Sequence, residues 1–145
     1  TYSDSGTYTV TFTVTDARGA VDPTPATRTI TVDGGGGELA TFTSVQSRVF
    51  NASCAFSGCH AGSSPSQGLD LSSGAAYNEI VNVPSAQQPS LDRIEPNDPD
   101  SSYLYLKLTG DASISGGRMP RGAQPLSQEL LDLVRDWIER GAPND

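Results

Sequence analysis

The sequence predicts a mainly α-helical domain preceded by a β hairpin. Apolar residues alternate with threonine over residues 7–15 and again over 27–32, which is the pattern of half-buried strands. Four consecutive glycines follow, and farther along the chain apolar residues recur with the period of a helix, most clearly over residues 128–140. The predicted divisions are β strands over residues 1–33, a glycine linker over 34–37 and a helical domain over 38–145.

The composition narrows the classes of function. Seventeen acidic and nine basic residues give a formal net charge of −8, which disfavours nucleic acids and anionic membranes as partners. Hydrophobic residues make up 35% of the chain, beside 15 glycines and 10 prolines, so we expect a cofactor to supply part of the apolar interior. No run of about 18 apolar residues is present, and we expect no membrane span. The acidic composition, rich in threonine, serine and glycine, favours an extracytoplasmic location, whether periplasmic, cell-surface or extracellular.

The two predicted strands are expected to form a hairpin or a pair of neighbouring strands, with turn residues over 16–20 between them. One face of this unit is apolar and needs a partner, because an isolated two-stranded sheet is marginal in water. The residues predicted on that face are Tyr8, Val10, Phe12, Val14, Ile30 and Val32.

The first part of the chain resembles the final third of a PKD domain, an immunoglobulin-like β-sandwich common in cell-surface proteins. The resemblance is carried by TYSDSGTYTVTFTVTD at residues 1–16 and covers about residues 1–32. The earlier strands of such a sandwich are missing from the sequence. Two explanations stay open: the polypeptide extends upstream, or another chain adds the partner strands. The second would mean self-assembly through the β strands of residues 1–32, as in a filament.

Four helices are predicted in the second domain, separated by loops and by a turn-rich segment over residues 84–99. Their ranges are 42–53, 73–81, 100–109 and 128–140. The last is the best defined, since Ser127 is a good N-cap and Gly141 a good terminator. Its apolar stripe consists of Leu130, Leu131, Val134, Trp137 and Ile138.

The reactive residues are concentrated in one short stretch, where Cys54, Cys59 and His60 are the only cysteines and the only histidine of the chain. A Cys-spacer-Cys-His run is typical of covalent haem c attachment, in which two thiols add to the vinyl groups and the imidazole ligates iron. The spacer has four residues instead of the usual two, but Cys59 and His60 are still adjacent. Two alternatives stay open: a Cys54–Cys59 disulfide, or a zinc site completed by a carboxylate.

Met119 is the only methionine and lies in a loop rich in glycine and proline over residues 110–125. A core packing role is the commoner fate of methionine. A ligand on a shaped loop is the alternative that fits this position better. A thioether opposite an imidazole gives a six-coordinate iron of raised potential, which suits one-electron transfer and leaves no open position.

Residues 42–145 resemble the small monohaem c-type cytochromes, especially those of bacterial surface and membrane-anchored proteins. The resemblance rests on three segments in order: CAFSGCH at 54–60, DPDSSYLYLKL at 98–108, and MP at 119–120 followed by LS at 126–127 and WIERGA at 137–142. It implies a cytochrome c-like fold in which the first and last helices pack together. It also implies one haem c per chain, attached through Cys54 and Cys59, with His60 as proximal and Met119 as distal ligand.

Three arginines are candidates for pairing with the haem propionates, since guanidinium groups suit carboxylates. They are Arg93, Arg118 and Arg121, and for each a solvated arginine is the alternative. No catalytic group is left after these assignments, so we expect no enzyme activity. The leading hypothesis is extracytoplasmic electron transfer with redox partner proteins. The alternatives are a structural or adhesive surface protein assembled through its β strands, and a haem peroxidase-type enzyme if Met119 is not a ligand.

Overall fold

The computed structural model describes residues 6–21, 23–32 and 39–145. The chain divides into two compact units, Thr1–Glu38 and Leu39–Asp145. The first contains a two-stranded antiparallel sheet and the second contains four helices, as the sequence predicts. The predicted glycine linker over residues 34–37 lies outside the described residues. Within the described ranges, no helix has the length and apolar character needed to cross a bilayer.

The first unit is a hairpin of β1 (Gly6–Phe12) and β2 (Ala26–Val32). Tyr8 pairs with Ile30 in the ladder. The turn is held by Asp16, whose side chain accepts hydrogen bonds from the backbone N–H groups of Arg18 and Ala20 at 2.8 and 2.9 Å. This use of an aspartate side chain in place of a backbone acceptor is common in turns.

The apolar face of the hairpin is more exposed than the alternating pattern predicts. Phe12 is 60% exposed and Val14 is 67% exposed. The first strand also ends at Phe12, whereas the pattern predicts a strand to residue 15. Among the described residues of this unit, the two strands supply cross-strand neighbours but no second layer, so the prediction of half-buried side chains is wrong for Phe12 and Val14.

The second unit has four helices, joined by long connections. They are α1 (residues 42–53), α2 (Ala76–Ile80), α3 (Tyr103–Thr109) and α4 (Gln128–Glu139). Two single 3-10 turns, Ser66–Gly68 and Pro99–Ser101, lie in the connections. All four predicted helices are therefore present.

Helix α1 carries the chain directly into the cysteine motif. It begins after Thr41, whose hydroxyl accepts a hydrogen bond from the N–H of Ser44 at 3.1 Å. Its middle segment, Gln46–Phe50, is a π turn, which widens the helix and is not visible in the apolar periodicity. Val45, Val49 and Phe50 are fully buried.

Helix α3 begins three residues later than the predicted start at residue 100. Pro99–Ser101 forms a 3-10 turn, and the side chain of Asp98 accepts a hydrogen bond from the N–H of Ser101 at 3.1 Å. The α-helical hydrogen bonding then covers Tyr103–Thr109 and ends at Gly110, which has a φ of 79°. Left-handed backbone of this kind favours glycine.

The core of the second unit forms where α4 packs on the start of α1. The rings of Phe42 and Trp137 lie 5.5 Å apart, and Asp145 accepts hydrogen bonds from the N–H groups of Phe42 and Thr43. The indole N–H of Trp137 donates to the carbonyl of Pro143 at 2.9 Å. The fully buried residues of this core are Val45, Val49, Phe50, Ala76, Ile80, Ile94, Val134, Trp137, Ile138 and Ala142.

Truncation of a core side chain on α4 should destabilise this unit strongly. Ile138→Ala is expected to lower the free energy of unfolding by about 2–5 kcal/mol, because the fully buried side chain leaves a cavity. Leu39→Ala, which truncates a side chain that is 69% exposed, should cost less than about 0.5 kcal/mol. Denaturant unfolding followed by the fluorescence of the single tryptophan, Trp137, measures both. Equal losses for the two variants would contradict the packing described.

Candidate functional site

A cavity of about 480 Å³ lies in the second unit. Its volume is within the range of about 300–1,000 Å³ found for small-molecule and cofactor sites. Cys54, Cys59, His60 and Met119 all line it. Much of the remaining wall is apolar. Its side chains come from the end of α1, from the loop that follows His60, and from α3, and they include Phe50, Leu69, Leu71, Leu104 and Leu108. The structure thus brings the predicted thiols, imidazole and thioether to one space.

The four-residue spacer folds as a compact turn. The N–H of Phe56 donates to the carbonyl of Cys54 at 2.9 Å, and the N–H of His60 donates to the same carbonyl at 3.2 Å. Gly58 has a φ of 85°, a conformation that side-chain-bearing residues rarely adopt. This turn accommodates a spacer two residues longer than the usual one. His60 therefore lies within hydrogen-bonding distance of Cys54, and both cysteines line the same cavity.

The two cysteines are free thiols in different environments. Cys54 is buried and Cys59 is exposed. Burial, with a smaller contribution from Cys59, raises the pKa of the Cys54 thiol to about 11. At neutral pH the Cys54 thiol is therefore protonated. Among the residues described, no three or more histidine, cysteine, aspartate or glutamate side chains are grouped to hold a metal ion.

His60 is held by the loop that follows it. Its Nδ1 lies 3.3 Å from the carbonyl oxygen of Leu69, and its own carbonyl accepts a hydrogen bond from Leu71. In the tautomer in which Nδ1 donates, Nε2 is left with a free lone pair, which is how metal-ligating histidines are commonly oriented. Burial lowers the pKa of His60, and the nearby charges of Arg93 and Lys107 lower it further. The imidazole is neutral at neutral pH, the form that can ligate a metal.

Met119 is positioned by hydrogen bonds between its loop and α3. Its N–H donates to the carbonyl of Lys107 at 2.8 Å. The ammonium of Lys107 donates to the carbonyl of Ser115 at 2.8 Å, and the N–H of Ser115 donates to the hydroxyl of Tyr103 at 3.0 Å. Met119 also packs against the core, so its side chain forms part of the cavity wall.

The three candidate arginines have different positions. Arg93 and Arg121 line the cavity, and Arg93 also donates to the backbone carbonyl and the carboxylate of Glu79 at 2.7 and 3.1 Å. Arg118 is not among the lining residues. Its guanidinium donates to the carbonyls of Met119 and Ala123 at 3.0 and 3.1 Å. Arg118 therefore stabilises the methionine loop through hydrogen bonds and does not line the cavity.

Lys107 is a lining residue that the sequence analysis did not single out. It lies between Leu106 and Leu108 in an otherwise apolar helix and is buried. A lone charged residue inside an apolar run is the signal that could have identified it, because buried lysine is rare without a partner. With Arg93 and Arg121 it makes three cations in a wall that contains no aspartate or glutamate.

Comparison with known proteins adds no family to this description. No family model, no curated protein and no solved structure matches the chain. The interpretation of the cavity therefore rests on its own chemistry, which consists of two thiols, one imidazole, one thioether and three cationic side chains around a largely apolar space.

Proposed function

We propose that this chain is an electron-transfer protein of the c-type cytochrome kind, with one haem c held covalently in the cavity. One observation carries the proposal: the only two cysteines, the only histidine and the only methionine of the chain line the same cavity. These are the residues needed for two thioether links and two axial ligands. When bound, the haem iron supplies a one-electron couple between its ferric and ferrous states.

The residues of the cavity fit such a group in three respects. Cys54 and Cys59 are free thiols, so both are available for thioether bonds. The hydrogen bond from Nδ1 of His60 to Leu69 orients the imidazole and leaves Nε2 to ligate. The apolar side chains of the wall suit the faces of a macrocycle, and the cationic ones suit its carboxylates.

Electron transfer is favoured over enzyme activity because His60 and Met119 would both hold the iron, and the chain has no further histidine. A peroxidase-type enzyme needs an open iron position, and Met119 as a ligand would occupy it. The exposed Cys59 and the half-exposed Phe56 both line the cavity, so one edge of a group bound there would face solvent. Redox partner proteins would exchange electrons at that edge.

We also propose a cytochrome c-like fold for the second unit, supported by the packing of α1 against α4 through Phe42 and Trp137. For the hairpin we propose the closing strands of an immunoglobulin-like sandwich, supported by the exposure of Phe12 and Val14. Further strands would cover these side chains. The acidic composition supports an extracytoplasmic location.

A redox titration of the haem-loaded protein tests the function. The absorbance should follow a one-electron transition, and carbon monoxide should leave the ferrous spectrum unchanged, because His60 and Met119 would both ligate the iron and leave no open position. Reversible one-electron cycling without peroxide turnover is the result expected of a carrier. Rapid binding of carbon monoxide together with peroxide turnover would favour the peroxidase-type alternative instead.

A further inference from the structure

Lys107 is a buried cation whose charge is not paired within the described part of the chain. It is the only lysine, is 7% exposed, and its ammonium donates to the carbonyl of Ser115 at 2.8 Å. The ion pairs of the described residues all involve arginine. An ammonium has three donors, and a buried charge is costly unless an opposite charge or several hydrogen bonds compensate it. The side chain therefore lacks an anionic partner.

The surroundings of Lys107 show where that partner would come from. The cavity that Lys107 lines contains two further cations, Arg93 and Arg121, and no carboxylate, although the chain has 17 acidic residues. Arg93 lies beside α3, since its carbonyl accepts a hydrogen bond from the N–H of Leu104 at 2.9 Å. His60 lines the same cavity as Arg93, Lys107 and Arg121. Arg93 is paired with Glu79, but the cavity wall holds no carboxylate for Lys107 or Arg121, and a ligand of the cavity would supply the missing negative charge.

We propose that Lys107 binds a propionate carboxylate of the haem and is the principal anion-binding residue of the cavity. This inference rests on the proposed function, because the carboxylate belongs to the cofactor. Lysine suits the role as a point charge on a flexible stem that reaches an oxygen from within the wall. The carboxylate supplies the opposite charge that the described residues do not.

The same residue positions the methionine loop. The backbone carbonyl of Lys107 accepts the hydrogen bond from the N–H of Met119, and its ammonium holds Ser115 of the same loop. Lys107 therefore links the carboxylate end of the cofactor to the loop that carries the distal ligand. It is a positioning residue for Met119, because its backbone carbonyl and its ammonium both hold the methionine loop.

Removal of the Lys107 charge should change the reduction potential. Ferric iron carries one more positive charge than ferrous iron, so a nearby buried cation favours the ferrous state. In the haem-loaded protein, Lys107→Met should shift the ferrous-to-ferric ratio at a fixed ambient potential by about tenfold toward ferric, which is about 59 mV for a one-electron couple. Lys107→Arg, which keeps the charge, should retain most of the wild-type ratio of ferrous to ferric protein. Arg135→Met removes an exposed charge on α4 outside the cavity wall and should change the ratio less than twofold.

If Lys107→Met does not fold, a measurement on the wild-type protein tests whether Lys107 contacts a haem propionate. Because the chain has a single lysine, lysine-selective isotope labelling gives one set of side-chain NMR signals. In the ferrous protein we expect nuclear Overhauser effects between the Lys107 ε-methylene and a propionate methylene. Covalent haem without these effects, or with an unchanged potential in Lys107→Met, would overturn this inference alone. A wild-type protein that carries no haem would overturn both this inference and the proposed function.

Discussion

Replacing Met119 with alanine is expected to open the distal position of the iron and to remove the charge-transfer band that reports methionine ligation. Met119 is the only thioether in the chain and lies on the cavity wall, held by the hydrogen bond from its N–H to Lys107. Alanine has no atom that can ligate iron. Because methionine ligation raises the potential, the ferrous-to-ferric ratio at fixed ambient potential should fall by roughly a hundredfold or more, each tenfold corresponding to about 59 mV.

The control for this variant is Ile114→Ala, which truncates an apolar side chain in the same loop that is not part of the cavity wall. It should keep the charge-transfer band, the potential and the inertness of the ferrous protein to carbon monoxide. Met119→Ala should bind carbon monoxide readily. If Met119→Ala keeps the wild-type band and potential, another residue is the distal ligand and the assignment is wrong.

The second large effect is expected from the cysteines. Cys54→Ala and Cys59→Ala should each leave one thioether bond, so haem stays with the polypeptide after denaturation but its haemochrome spectrum shows one unsaturated vinyl group. The double variant should lose all covalent haem. Both residues line the cavity as free thiols, Cys54 buried and Cys59 exposed, so each can supply one bond.

Ser57→Ala is the matched control for the cysteine variants, because Ser57 lies in the same spacer and is exposed. It should retain both thioether bonds. Mass spectrometry of the denatured proteins distinguishes covalent from dissociable haem. Full covalent attachment in the double variant would show that the thiols are not the attachment points.

The sequence predicted those features that depend on local pattern. The stripe of α4 is read from its spacing alone, and its innermost residues, Val134, Trp137 and Ile138, are fully buried. The ends of elements were less predictable, because they depend on side-chain hydrogen bonds such as that of Asp98, which delays the start of α3. The π turn of α1 depends on backbone hydrogen bonding that a stripe of apolar residues does not specify.

The site was predictable where its residues are chemically unique. Cys54, Cys59, His60 and Met119 can be picked out because few or no others of their type exist, and the structure places them in one cavity. The positions of the arginines could not be predicted from residue type. Whether an arginine contacts the methionine loop or lines the cavity depends on long-range packing. Arg118 contacts the methionine loop, and Arg93 lines the cavity.

For the hairpin, the sequence pattern predicts the strand pairing but not the burial of the side chains. Alternation correctly predicted two paired strands, but alternation cannot say whether a second layer is present, and Phe12 and Val14 are exposed. The hypothesis that strands of another chain, or further strands of the same polypeptide, cover this face stays a prediction. The same holds for assembly into a filament.

The most direct test of the haem proposal is the intact mass of the wild-type protein, produced together with haem-attachment machinery and measured after denaturation with an alkylating agent present. The account predicts the mass of one chain plus one haem, with neither Cys54 nor Cys59 alkylated. A mass equal to that of the chain with both thiols alkylated would contradict it.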